Sequence, residues 1–99
     1  MNVEMREYEL GTAPRVFGEF RNFDGNLEDP GTANVSVKTP DGTSTTKTYG
    51  TDDEVKKLSE GIFYLDIDAN AIGIWKYKWF STGEGQAAAA RRFKVESNY

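Results

Sequence analysis

Apolar and polar residues alternate with a period of two along much of this chain. In the clearest example, Phe63, Leu65 and Ile67 alternate with Tyr64 and Asp66. A period of two places successive side chains on opposite faces of a β-strand, so one face of this segment is expected to be buried. Seven segments rich in Val, Ile, Thr and aromatic residues are candidate strands: 15–23, 33–39, 44–49, 54–58, 62–69, 74–80 and 87–95.

Turn sequences separate these segments at short intervals. Asp24-Gly25, Asp29-Pro30-Gly31 and Pro40-Asp41-Gly42 favour chain reversal, because proline presets φ and glycine accepts a positive φ. No stretch keeps a 3.6-residue apolar period long enough for a helix. The pattern therefore predicts an all-β fold, a sandwich or a barrel, and a length of 99 residues leaves room for one domain.

The last two candidate strands are expected to form a hairpin centred on residues 83–85. The expected register places Trp75 opposite Phe93, Tyr77 opposite Arg91, and Trp79 opposite Ala89. Small residues that face large rings suit a packed interior. We therefore interpret the aromatic row of Trp75, Tyr77 and Trp79 as core, and its alternative use as a platform for stacking sugars as less favoured.

Composition narrows the classes of function. The chain has no Cys and no His, which excludes thiol nucleophiles, disulfides, zinc sites built on nitrogen or sulfur, and imidazole bases. Its net charge of -4 has the wrong sign for a generic binder of nucleic acid or anionic membranes. No apolar run approaches the roughly 20 residues of a membrane span. We expect no enzyme activity, no cofactor or metal, and neither nucleic acid nor membrane as a partner.

Two groups of acidic residues are candidate sites. Segment 24–29 carries oxygen ligands suited to Ca²⁺, but it lacks the glycine and glutamate spacing of an EF-hand, and we interpret it as a turn. Asp66 and Asp68 lie on one side of a predicted strand, about 7 Å apart, a separation that a glycosidase could use. Because that side is expected to face solvent, we interpret the pair as part of a solvated surface.

One polar face of the predicted sheet is a candidate partner surface. If segments 44–49, 74–80 and 87–95 share a sheet, five cations project from the same face: Lys47, Lys76, Lys78, Arg92 and Lys94. The hairpin register puts Lys76 opposite Arg92, and such like-charge pairs are mildly destabilising unless an anion covers them. The alternative is a set of solvated lysines relieved by nearby carboxylates.

A series of motifs connects the chain to a known kind of protein. The motifs are RVFGEFRN (15–22), DG (24–25), DP (29–30), VSV (35–37), PDG (40–42), GIFYLD (61–66) and GIWKYKW (73–79). Over roughly residues 8–96, the chain resembles small Ig-like β-sandwich proteins encoded by tailed bacteriophages. The resemblance implies a single Ig-like (fibronectin-III-like) antiparallel β-sandwich of about seven strands in residues 14–96. Residues 1–13 are expected to be an N-terminal arm or an edge strand, and the arm could pair with the sheet edge of a neighbouring molecule.

The same resemblance implies a function without catalysis. The expected role is that of a structural protein of a phage particle, a capsid decoration or cement subunit or a head–tail junction component. Its partners would be capsid, portal or neck proteins and copies of itself, in a virion assembled in the host cytoplasm. An alternative is a carbohydrate-binding or adhesion module that holds surface glycans on exposed aromatics such as Tyr49, Tyr64 and Phe80. A β-sandwich enzyme that uses carboxylates alone is a third, less favoured class.

Overall fold

Two β-sheets make up the structure, a computed structural model that describes residues 6–81 and 90–97. Within these residues the strands are β1 (Arg6–Glu9), β2 (Arg15–Glu19), β3 (Asn34–Lys38), β4 (Ser44–Thr48), β5 (Val55–Ser59), β6 (Ile62–Asp66), β7 (Gly73–Phe80) and β8 (Ala90–Glu96). One sheet has five strands in the order β1-β8-β7-β3-β4, and the other has three in the order β2-β6-β5. No helix among the described residues is long and apolar enough to cross a membrane.

The predicted all-β class is confirmed, and two facing sheets are compatible with a β-sandwich. The structure differs from the predicted antiparallel set of about seven strands in one element. Strand β1 is an eighth strand, and it pairs in parallel with β8 of the same chain, with Glu7 beside Lys94. The four residues of β1 carry a single large apolar side chain, Tyr8, so their alternation is too short to identify a strand.

The core lies between the sheets and forms one cluster. The five-stranded sheet contributes mainly the inward side chains of β3, β7 and β8, and the other sheet contributes Val16, Val55, Phe63 and Leu65. The predicted burial of Trp75 and Trp79 is confirmed, with exposed fractions of 3% and 0%. Trp75 lies opposite Phe93, as predicted, and the two rings stack with centroids 5.9 Å apart.

The rest of the predicted hairpin register is confirmed as far as the structure describes it. Tyr77 pairs with Arg91 and Lys76 with Arg92. The predicted pairing of Trp79 with Ala89 lies outside the described residues. Within them, β7 is a central strand of its sheet, bonded to β3 on one side and to β8 on the other.

Asp29 ties a long loop to the turn between β5 and β6. Its Oδ1 accepts a hydrogen bond from the Gly61 N–H at 2.8 Å, and its Oδ2 accepts one from Lys57 Nζ. Gly61 has φ +73°, and a Cβ there would lie 2.7 Å from Glu28 N, so glycine is required where the loop crosses the turn. The bonds from Lys57 and then Gly61 hold the pKa of Asp29 below its usual value.

Replacing Asp29 with asparagine is expected to lower the melting temperature at pH 7 and to matter less in acid. Because the folded-state pKa of Asp29 is lowered, its contribution is present above the unfolded value of about 4 and disappears as pH falls through the folded value. Thermal melts of wild type and Asp29→Asn should therefore converge between about pH 5 and pH 2. Asp24→Asn, at an exposed loop position, is the control, and a pH-independent Asp29→Asn difference would contradict the assignment.

Candidate interaction surface

The outer face of the five-stranded sheet collects the basic residues of the second half of the chain. In β7, Trp75 and Trp79 point into the core, so Lys76 and Lys78 between them point outward and are exposed. In β8, Phe93 and Val95 point inward. Four of the five predicted surface residues therefore share one face: Lys76, Lys78, Arg92 and Lys94.

Strand pairing arranges these cations in a row across the sheet. Lys38 of β3 lies directly opposite Lys76, and Lys76 lies directly opposite Arg92. Lys78 lies in the next row, between Ser36 and Ala90. Lys38 was not among the predicted surface residues, although its alternation with Val37 already indicated that it points outward. What the sequence pattern did not reveal is that β3, rather than β4, is the neighbour of β7.

Lys47 does not belong to this face, which corrects the prediction. It lies directly opposite Val35, whose side chain is buried in the core, so Lys47 is on the inward side of edge strand β4. Because five strands face three, this side of β4 has no apolar cover, and Thr45 beside it is exposed. The ammonium of Lys47 binds Glu54 Oε2 at 3.0 Å instead, which lowers the pKa of Glu54.

Lys94 differs from the other cations because it is neutralised locally. Its Nζ lies 3.1 Å from Glu96 Oε1, and that bond raises the pKa of Lys94. Bonds with Lys94 and then Glu7 lower the pKa of Glu96. Among the described residues, no carboxylate forms an ion pair with the remaining four cations. We call these four the cationic face: Lys38, Lys76, Lys78 and Arg92.

Among residues 6–81 and 90–97, carboxylates border the cationic face on the β1 side. Glu7 and Glu9 of β1 pair with Lys94 and Glu96 and extend the same outer surface. The surface thus changes from positive on β3, β7 and the first half of β8 to negative on β1 and the end of β8. A partner that matches both regions would be fixed in orientation as well as in position.

Two of the acidic candidates from the sequence, Asp66 and Asp29, have structural partners. Asp66 receives a two-point hydrogen bond from Arg15, with Nε 2.7 Å and Nη2 3.0 Å from its oxygens, and this pairing lowers its pKa. Asp29 binds Lys57 and Gly61 as described above. In segment 24–29 the turn is organised by Asn22 Oδ1, which accepts from the N–H groups of Asp24 and Asn26.

The aromatics predicted to be exposed do not share a surface. Tyr49 is 45% exposed and packs edge-on against Phe63 with centroids 5.1 Å apart. Tyr64 lies on the outer face of the three-stranded sheet, while Phe80 lies on the five-stranded one. The prediction missed Phe17, which is 50% exposed and stacks on Tyr64.

The cationic face thus places three lysines and one arginine, all exposed, on three adjacent strands of the five-stranded sheet. It offers ammonium and guanidinium donors to carboxylates across an open surface. Comparisons with models of protein families, with curated proteins and with solved structures yield no match to this chain.

Proposed function

We propose that this protein is a non-enzymatic binding module that docks on an acidic protein surface through its cationic face. One observation carries the proposal: the row of Lys38, Lys76 and Arg92, side by side on three adjacent strands. Like charges directly opposite each other on a sheet destabilise it. A protein with a net charge of -4 has carboxylates available to relieve such a row, yet the described residues leave it unrelieved.

Charge asymmetry supports an acidic partner in particular. Without the four cations of the cationic face, the rest of the chain carries a net charge of -8 (-4 minus +4). An acidic partner is therefore repelled by most of the surface and attracted by one part of it. Such an arrangement steers encounter and sets orientation more than it raises affinity.

The strand order supports an Ig-like identity for the module. In Ig domains, strands B, E and D share one sheet, and strands G, F and C share the other, which variable-type domains extend with C′. The order β2-β6-β5 follows the first arrangement, and β8-β7-β3-β4 follows the second. When β2 to β8 are assigned in chain order to strands B, C, C′, D, E, F and G, each of them lies in the sheet that the Ig arrangement gives it.

A contact at the start of β7 supports the same identity. The indole Nε1 of Trp75 donates to the carbonyl oxygen of Ala71 at 3.0 Å. Many Ig sandwiches have a tyrosine near the start of strand F whose hydroxyl bonds to the backbone a few residues upstream. Trp75 makes a comparable bond from the corresponding strand, with an indole in place of a phenol.

We further propose that the module is a structural protein of a tailed-phage particle, as a decoration subunit or a head–tail junction component. The motifs of residues 15–79 support this role, and so does an open, flat binding surface. Repeated copies on a particle would add weak contacts through avidity. Capsid, portal or neck proteins with acidic surfaces are the corresponding partners.

Charge reversal at Lys78→Glu together with Arg92→Glu tests the docking surface. We expect binding to purified particles of the phage that encodes the chain to weaken by at least about tenfold, because both changes place like charge against an acidic partner. Binding is measured by co-sedimentation across a salt series. Arg92→Glu also sets a carboxylate opposite Lys76, so the melting temperature should stay equal or rise slightly.

Lys56→Glu is the matched control, since Lys56 is an exposed lysine on the other sheet and lies opposite Tyr64. It should leave binding unchanged. Equal binding by the double variant and wild type would remove the cationic face as the docking surface. Failure of wild type to bind any particle protein would instead reject the phage assignment.

A further inference from the structure

Strand β2 is an edge strand of the three-stranded sheet, with one neighbour, β6, among the described residues. The bonds that flank it, Phe20 N–H to Gly61 O at 2.8 Å and Ile67 N–H to Pro14 O at 2.9 Å, join even-numbered residues of this segment to β6. Hydrogen-bonding direction alternates along a strand. Arg15, Phe17 and Glu19 therefore direct their N–H and C=O groups away from β6, towards an edge that no strand of the described residues occupies.

The side chains of the same three residues form a charge pattern on the outer face. A cation, an aromatic ring and an anion follow one another at alternate positions: Arg15, Phe17 and Glu19. All three are about half exposed. An edge that carries one sign of charge resists pairing with its own copy. In β2 the cation and the anion lie at opposite ends, so two antiparallel copies of the strand place each cation opposite an anion.

We propose that two copies of this chain pair through their β2 edges, antiparallel about a two-fold axis at Phe17. Phe17 then lies opposite Phe17 of the second copy, and Arg15 of each copy lies opposite Glu19 of the other. The residues that meet are the ones whose N–H and C=O groups face outward, so side-chain and backbone complementarity select the same register. The two three-stranded sheets become one continuous sheet.

Neighbouring charges fit this register as well. Arg15 binds Asp66, and Arg21 Nη2 lies 3.0 Å from Glu19 Oε1 in the same chain. In the pair, Asp66 and Arg15 of one copy adjoin Glu19 and Arg21 of the other, so charges alternate in sign along the interface. Phe17 already stacks on Tyr64, with centroids 6.0 Å apart, and dimerisation buries its open side.

The edges of β5 and β4 are less suited to self-pairing. Strand β5 has a register shift between Lys57 and Ser59 and carries Lys56 and Lys57, features that protect an edge. Strand β4 has no large apolar side chain in its five residues. The β2 edge and the cationic face lie on different sheets, so a β2 dimer leaves both cationic faces open, and the two proposals stand separately.

Charge swapping tests the dimer directly. We expect wild type to self-associate with a dissociation constant in the micromolar range, as a small interface does, measured by sedimentation equilibrium. Arg15→Glu alone and Glu19→Arg alone should each weaken association by at least about tenfold, because each puts like charges opposite each other at both ends of the interface. An equimolar mixture of the two variants should associate again, since every cross-strand pair then has opposite signs.

Three results would overturn the proposal: a wild type that stays monomeric at about 1 mM, single variants that associate as tightly as wild type, or a mixture that does not associate. Phe23→Ala, at a fully exposed phenylalanine outside the strands, is the control and should keep wild-type association.

Two further measurements keep the proposal testable if a charge variant does not fold. Phe17→Lys leaves the Arg15–Asp66 and Arg21–Glu19 ion pairs intact and places two lysines opposite each other, so it should also abolish the dimer. In wild type, hydrogen exchange at the amides of Arg15, Phe17 and Glu19 should slow as protein concentration rises. Exchange at the even-numbered amides, which bond to β6, should not depend on concentration, and the same behaviour at both sets would contradict the model.

Discussion

Replacing Trp79 with alanine is expected to lower the free energy of unfolding by about 3–5 kcal/mol. Trp79 is fully buried near the end of β7, and its indole reaches across the core to β2 of the opposite sheet. Its removal leaves a large cavity between two sheets whose spacing is set by many other side chains, so the surroundings relax only in part. For a domain of this size, that loss is a large fraction of the total stability.

Urea denaturation of the purified chain measures this effect. Ile74→Ala is the control, because Ile74 lies on the same strand with its side chain on the outer face, 36% exposed. It should cost less than about 1 kcal/mol. If Trp79→Ala cost no more than Ile74→Ala, Trp79 could not occupy the centre of the core.

Replacing Gly18 with alanine is expected to destabilise the protein by about 1–3 kcal/mol, and replacing it with valine by more. A Cβ at Gly18 would lie 2.4 Å from both Cγ and Cδ2 of Trp79. In an open strand position, alanine would be more stable than glycine by about 0.5–1 kcal/mol. Here the contact reverses the sign, because the ring that would have to move is rigid and surrounded by core side chains.

A double-mutant cycle distinguishes this contact from a general cost of substitution in β2. In a Trp79→Leu background the indole is absent, so Gly18→Ala should lose much of its cost. Both steps are read from urea denaturation midpoints at constant slope. Equal costs of Gly18→Ala in the two backgrounds would show that Gly18 is not matched to the indole.

Gly18 and Trp79 illustrate why local patterns predict strands better than they predict packing. Alternation placed both residues in strands, and it identified Trp79 as inward-facing. Nothing in the neighbourhood of either residue indicates that they meet, since they are 61 positions apart (79 minus 18) and lie on different sheets. Glycine in that strand is required by a contact between sheets and not by a backbone dihedral angle.

The candidate surface, too, could be predicted only in part from local sequence patterns. Alternation with buried aromatics, together with the predicted hairpin, indicated which side of the sheet carries four of the cations: Lys76, Lys78, Arg92 and Lys94. Lys47 was assigned to the wrong face because β4 has no large apolar residue to indicate which of its two faces is buried. Lys38 was missed because its place beside Lys76 depends on which strand neighbours β7.

The two proposed surfaces use different properties of the same fold. The cationic face depends on side chains that project from the middle of a sheet, where the backbone is already bonded on both sides. The β2 edge depends on backbone groups left unpaired at a sheet margin, together with the order of charge around Phe17. Together they would give a two-fold assembly with two equivalent docking faces, which suits repeated attachment to a larger structure.

The sequence by itself determined that this protein is all-β, where seven of its strands run, and that Trp75 and Trp79 face the core. These properties follow from a period of two and from turn residues, which act over a few neighbouring positions. Only the tertiary structure decided that β1 pairs in parallel with β8, that Lys38 rather than Lys47 completes the cationic face, and that β2 is an edge strand of its sheet in the part of the chain that the structure describes. Each of these depends on strand order, which is determined by contacts between residues far apart in the chain. Local alternation therefore does not predict it.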